Sequence, residues 1–330
     1  MNAPTEDPPV PQIEVVGVGK TFSVRTGWRG RRSVTALHDL SFVVEAGEAV
    51  GVVGGPGSGK STLARIVAGQ FAPSAGFVRT AGLLPVRQRA DLTRVVGALL
   101  AGDEDAGLPG DLSLARLLPI VAEARGLATG EWQLRRDELA ERLALGPHLN
   151  RPYGQLDDAL RLRACLAVAL LHRPPLLILD DVLDGPDAVG RDLIRGLLRH
   201  EHRVGGCTLL LSAASVSALE SSCRRLLVLD GGRLVHDGPL PDLVERAGAQ
   251  RILVIDLTEA AGRLDSVPNA EVLEVEADGR RQRLLCPPGR TATADVLADV
   301  ADRLPPDVRV RDVTVLEPAL DDVLARLREV

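Results

Sequence analysis

Lysine is nearly missing from this chain: of 39 basic residues only Lys20 and Lys60 are lysine, and the rest are arginine. There is no basic excess either. Acidic residues outnumber basic ones 45 to 39, and a net charge of −6 leaves no cationic footprint for a nucleic-acid partner. Cysteine is sparse and scattered. Cys165, Cys207, Cys223 and Cys286 form no C-x-x-C pair, which argues against zinc and a disulfide framework and suits a reducing compartment. Long apolar runs are absent: the longest, residues 164–171, is far short of the roughly 18 residues that span a bilayer. Residues 1–12 are acidic and proline-rich, without the charged-then-apolar pattern of a secretory leader. These absences predict a cytoplasmic protein that any membrane role would have to reach through a partner.

What is present is ordinary globular material. With 45% hydrophobic and 25% charged residues the chain can bury a sizeable core, and 330 residues suit two domains at roughly 150 residues each. Residues 1–12 are predicted to be disordered. Residues 13–16 and 41–44 read as short strands, separated by an exposed Arg/Gly-rich loop over 25–32. The apolar run 49–53, a glycine cluster and an apolar-periodic segment over 61–69 give the order strand, glycine loop, helix. Helical periods follow over 113–127, 130–145, 157–172, 188–200 and 215–225. Residues 176–180 and 208–211 read as buried strands, and 226–230 with 233–236 as a hairpin across Gly231 and Gly232. Alternating buried strands and helices predict an α/β domain over 13–248. In the tail, strands over 252–256, 271–276, 281–286 and 308–316 and helices over 258–264, 293–304 and 318–329 predict a small ferredoxin-like α+β domain over 249–330.

Gly54, Gly55, Pro56, Gly57, Ser58, Gly59, Lys60 and Ser61 fit G-x-x-x-x-G-K-[ST] in full. Successive N–H groups of such a loop cradle phosphate oxygens, and the helix that follows, beginning around Thr62, adds its positive end. Lys60 can reach the β- and γ-phosphates, and the Ser61 hydroxyl can ligate Mg²⁺. With two lysines in the chain, a chance match is a matter of roughly one in several hundred. The run Leu176-Leu-Ile-Leu-Asp180-Asp181 is the second element. Asp180, ending a buried strand, can hold Mg²⁺ through water, and Asp181 occupies the position that polarises an attacking water.

In this order of segments the sequence resembles the ATP-binding subunits of bacterial ATP-binding-cassette (ABC) exporters, of the drug- and polysaccharide-exporting type. Lys20-Thr-Phe22 lies where that family has its adenine-stacking aromatic. Ala36-Leu-His-Asp-Leu-Ser-Phe42 and Glu45-Ala-Gly-Glu48 lead into the phosphate loop as they do there. Arg161-Leu-Arg163 through Leu170-Leu-His-Arg-Pro174 resembles the signature helix, and Val228 through Val235 with Asp237-Gly238 the closing hairpin. Glu317-Pro-Ala-Leu-Asp-Asp-Val323 resembles the C-terminal extension of exporting members. The resemblance implies a P-loop NTPase fold, ATP and Mg²⁺ as ligands, and a dimer with a second cassette. It also implies membrane-spanning permeases that hold the chain on the inner face of the membrane. Tandem cassettes, a coiled-coil insert or a basic patch would favour a ribosome- or DNA-associated cassette, and none is present.

The departures are as specific as the matches. Counted back from His172-Arg-Pro174, the family's L-S-G-G-Q falls on Leu156-Asp157-Asp158-Ala159-Leu160. Two carboxylates would cap their own helix well, but they would repel the terminal phosphate of a nucleotide on an opposite subunit. Gly154-Gln155 is an alternative register, about five residues early. The loop glutamine is missing near Ala101 and Gly102, and the switch histidine at Ala213 or Ala214. Asp181 replaces the usual glutamate, shorter by one methylene than direct reach requires. The pattern predicts retained ATP binding with weak or partner-dependent hydrolysis, or a nucleotide-binding pseudo-ATPase with a structural role.

Overall fold

The computed structural model describes residues 10–26, 30–102, 108–183, 187–216, 218–219, 222–246, 248, 250–264, 267–276, 278–287, 290–316, 318 and 323. The chain divides into two compact units, Met1–Asp237 and Gly238–Val330, a division that falls before the expected boundary at Gly248.

The first unit opens with β1 (Ile13–Thr26), β2 (Gly30–Val44), β3 (Ala49–Val53) and α1 (Lys60–Val67). It continues with β4 (Ala75–Thr80), α2 (Arg89–Val95), β5 (Val96–Leu99), α3 (Leu114–Ala124) and α4 (Thr129–Arg142). It ends with α5 (Asp158–Leu170), β6 (Leu176–Asp180), α6 (Ala188–Arg203), β7 (Thr208–Ala213), β8 (Arg225–Asp230) and β9 (Arg233–Gly238). Six strands form a sheet in the order β5-β6-β7-β3-β8-β9, in which β5, β6, β7, β3 and β8 pair in parallel. All residues of β3, β6 and β7 are buried, as their unbroken apolar runs require of strands covered on both faces. β2, β1 and β4 make a separate antiparallel sheet.

That hairpin is much longer than its hydrophobic pattern suggests. Val24 pairs with Arg32 and Arg25 with Arg31, so much of the expected arginine-rich loop is strand. Main-chain ladder bonds sustain it where the side chains are exposed, and no alternation marks such a strand in sequence. Gln12, assigned above to a disordered N-terminus, donates its N–H to Val44 O and accepts from Ala81. Residues 1–9 lie outside the described part. β4, α2 and β5 are further elements that periodicity did not single out. Conversely, the described residues over 215–225 are not helical: they are bends and turns up to Arg225, which opens β8.

The helical layer is tied together by one buried cation. Arg135, on α4, is 1% exposed. It donates to Glu201 Oε2 on α6 at 2.6 Å and to Leu170 O on α5 at 3.3 Å, and it pairs with Glu138. Burial alone would raise the Glu138 carboxyl, but bonds from Arg135, Arg173 and Arg142 prevail and hold it below its usual range. Glu138, His200 and Glu201 lie close enough to suit a cation, yet Glu138 and Glu201 Oε2 are already paired with arginines. His172, at the end of α5, lies against the Arg125 guanidinium. Burial, then that charge, lower its pKa to about 3.

The second unit contains α7 (Leu240–Arg246), β10 (Arg251–Leu257), β11 (Glu271–Val275), β12 (Arg281–Cys286), α8 (Arg290–Arg303) and β13 (Val310–Leu316). Its sheet order is β11-β12-β10-β13, every neighbour antiparallel. That is the strand order of a split βαβ sheet. The first crossover departs from it: residues 258–264 are not helical. Instead, Ala261 bonds Gly279 O, and the Gln282 amide, wholly buried, bonds Leu264 N and Gly262 O. These bonds draw the backbone out of a helix. Of the final helix expected over 318–329, only residues 318 and 323 are described, and Val323 is helical. All four cysteines are buried and unbridged, and burial pushes the Cys207 and Cys223 thiols up to about 12, which leaves them unreactive.

Candidate nucleotide site

β3 delivers the chain into the glycine loop and α1 takes it out again. Gly57 and Gly59 have φ of 77° and 105°, left-handed values that glycine adopts without strain. Close packing makes a second demand. A Cβ on Gly59 would lie 2.8 Å from Ala36 O, and one on Gly54 would lie 2.3 Å from Leu229 O. The loop is thus wedged between β2 and the hairpin of β8 and β9. Gly232, in that hairpin, donates its N–H to Ser58 O and accepts from His38 N. The closing hairpin therefore acts as a brace for the phosphate loop.

Lys60 is 7% exposed, and its ammonium donates to Gly54 O at 2.8 Å and Gly55 O at 3.5 Å, so the charge sits within the loop itself. Gly59 is the N-cap residue of α1 and offers no side-chain cap. The first N–H groups of the helix, Lys60, Ser61 and Thr62 among them, have no acceptor within the helix. Loop, helix start and buried ammonium together make a compact concentration of positive potential suited to phosphate. Gly54→Ala is expected to destabilise the fold by about 1–3 kcal/mol through overpacking and to weaken ATP binding. Chemical denaturation and a nucleotide titration check it.

Asp180 ends β6, pairing in register with Ser212 of β7, while Val53 pairs with Ala213 on the other side of β7. One strand therefore separates the acidic residue from the loop, and all the C-terminal strand ends face the same way, where parallel α/β sheets bind their ligands. Asp180 is 1% exposed. Its Oδ1 accepts from the Ser212 hydroxyl, while its buried Oδ2 has no partner among the described residues. An orphaned buried carboxylate oxygen is costly, and a Mg²⁺ ion or its water shell is the chemistry that would satisfy it. The residues present therefore fit the metal.

Asp181 follows in the left-handed region, φ 57°, with its N–H on Ser212 Oγ at 3.1 Å and on Ser212 O at 3.2 Å. Ser212 thus positions both acidic residues. It is a site residue that the sequence reading passed over. A polar residue ending an otherwise apolar run was the one available signal. The strand ends at Ala213 and Ala214 follows it; neither can donate to a phosphate through its side chain.

Phe22 is half-buried on β1. Its ring meets Phe71 edge-on at 5.6 Å, and the Lys20 ammonium lies 4.9 Å from its centre while donating to Ala72 O. At the helix expected to carry the signature, Asp157 is the N-cap of α5, and its Oδ1 accepts from Leu160 N at 2.8 Å. Asp158 opens the helix with its side chain in solvent, 3.9 Å from Arg161. Gly154 and Gln155 lie in a separate short 3-10 turn, before that helix begins.

Comparison with known proteins agrees with this geometry. A family profile described as "ABC transporter" matches residues 37–184. The chain is 33% identical over 234 residues to the Nod factor export ATP-binding protein I of Rhizobium etli, covering 71% of this chain and 70% of that protein. It is 32% identical over 258 residues to the aliphatic sulfonates import ATP-binding protein SsuB of Pseudomonas putida, covering 77% and 86%. A solved ATP-binding cassette, a dimer bound to ADP and Pi, superposes with a TM-score of 0.60 at 22% identity, over 69% of this chain and 98% of that one. The two relatives act in opposite directions but share one nucleotide-binding machine, and the chain belongs to their family: it is an ATP-binding subunit of an ABC transporter.

Proposed function

We propose that the chain binds Mg-ATP between the phosphate loop and Asp180, pairs with a second cassette beneath membrane-spanning permeases on the cytoplasmic face, and serves export with weak or partner-dependent hydrolysis. Gly54 through Thr62 bind and orient the phosphates, and Lys60 leaves its loop carbonyls for the β- and γ-oxygens. Phe22 takes the adenine. Ser61 and Asp180 would hold Mg²⁺, which when bound neutralises charge building on the phosphate oxygens. Export is supported by the resemblance of Glu317 through Val323 to the C-terminal extension of exporting members.

The observation that carries weak hydrolysis is the acidic start of α5. Asp157 is committed to Leu160 N–H and Asp158 points into solvent, so this helix offers a partner's nucleotide carboxylates where the family offers serine and glycine. The hydrolytic groups are also thin. Asp181 is short of a glutamate's reach, and no glutamine stands at Ala101 or Gly102 and no histidine at Ala213 or Ala214. A partner cassette could bring its own signature to this chain's loop. It could not replace the glutamine and histidine, which act in the same subunit as the loop. The pseudo-ATPase reading shares this basis and differs only in whether any turnover survives.

Asp180→Asn is expected to remove the gain in ATP affinity that Mg²⁺ confers. The melting temperature should stay level or rise, because an unpaired buried charge is removed. ATP titrations with and without Mg²⁺, alongside thermal unfolding, check both halves. Residues 249–330 are proposed as an accessory domain that regulates cassette closure. Deleting them should change ATP-dependent assembly or turnover, and unaltered assembly and activity would contradict that role.

A further inference from the structure

We propose that the first unit carries a second anion site, built to hold a polyphosphate or phosphorylated organic anion, at the end of the six-stranded sheet opposite the phosphate loop. A cavity of about 510 Å³ lies there, lined by Arg199, His202, Arg203, Arg224 and Arg225 over an apolar floor of Ala49, Leu198 and Leu209. Ala49 begins β3 and Leu209 lies near the start of β7. The cavity therefore sits about 16 Å, five strand residues, from the loop, too far for a nucleotide's phosphates held there to fill it.

The charge in the cavity is unbalanced. Among the described lining residues the one carboxylate, Glu48, is taken by Arg225, which donates to it at 3.0 Å and binds Asp237 bidentately as well. Among the described residues, Arg199, Arg203 and Arg224 have no carboxylate partner. Arg199 and Arg203 stand four residues apart on α6, where like charges repel. Cations near a helix C-terminus are favourable for the helix, which accounts for Arg203 but not for Arg224, contributed by the segment before β8. His202 is fixed by an Nδ1 bond to Cys207 O. Three exposed arginines lining one concave, partly apolar cavity match an anion with several phosphate oxygens. The cavity can take an organic body of drug-like size.

The test is calorimetric titration of full-length Lys60→Ala, in which the phosphate loop is weakened, with tripolyphosphate. A parallel arm measures flotation with vesicles of phosphatidylglycerol against phosphatidylcholine. The triple variant Arg199→Gln, Arg203→Gln, Arg224→Gln on that background is expected to weaken binding about tenfold or more, with arginine-to-lysine at the same positions recovering part of it. Loss in the titration assigns a soluble anion, and loss in the phosphatidylglycerol arm assigns a lipid headgroup. If the triple variant binds both probes as its parent does, or the parent binds neither, the proposal is overturned. Because parent and triple variant share the same Lys60→Ala loop, the difference between them reports on the cavity and not on nucleotide binding at the loop.

Discussion

Replacing Lys60 by alanine is expected to weaken ATP binding about 100-fold or more while leaving cooperative unfolding intact. The ammonium is 7% exposed and held by Gly54 O and Gly55 O within its own loop. It is therefore pre-positioned and partly desolvated before any phosphate arrives. Charge-assisted bonds contribute about 1.5–3 kcal/mol each, and contacts to two phosphates account for the expected factor. The glycine conformations and the Gly232 brace do not depend on this side chain, so the loop should keep its shape. A fluorescent-nucleotide titration reads the loss. Affinity within a few-fold of the parent would mean that loop N–H groups and helix dipole suffice, and that the lysine is structural.

The second large effect is a gain. Asp157→Ser with Asp158→Gly and Ala159→Gly is expected to strengthen ATP-dependent dimerisation about tenfold or more. Serine can still accept the Leu160 N–H, so the α5 cap survives. Two carboxylates disappear from the face expected to meet a partner's nucleotide. Each repulsion is worth on the order of 1 kcal/mol when solvated and more when desolvated, and about 1.4 kcal/mol is a factor of ten. Added salt should shrink the difference between parent and variant. Sedimentation in ATP with Mg²⁺ reads it, and an unchanged dimerisation constant would mean that the signature register is misplaced.

The parts of the site that sequence made legible are those whose chemistry is local. Gly54 to Ser61 is a loop whose residue types and spacing state their own purpose, and Asp180 marks the end of an unbroken apolar strand. What stayed hidden depends on residues far apart in the chain. Ser212 matters because β7 lies beside β6, and Gly232 matters because the β8–β9 hairpin reaches back to Ser58. Phe22 stands out in sequence as an aromatic residue, but its contacts with Phe71 and Lys20 do not. The fold follows the same division. Buried parallel strands such as residues 176–180 announce themselves by apolar runs. The exposed β1–β2 hairpin and the non-helical 258–264 segment are decided by main-chain pairing and by Gln282, which periodicity does not record.

The most direct test of the account is ATP binding and ATP turnover measured on the same purified chain with Mg²⁺, beside Lys60→Ala. Binding that Lys60→Ala loses, with turnover no higher than in Lys60→Ala, is the expected result for a cassette that keeps its phosphate cradle and lacks the groups that order the water. Clear turnover that disappears in Lys60→Ala would contradict it, and would mean that Asp181 and its Ser212 support position the water after all.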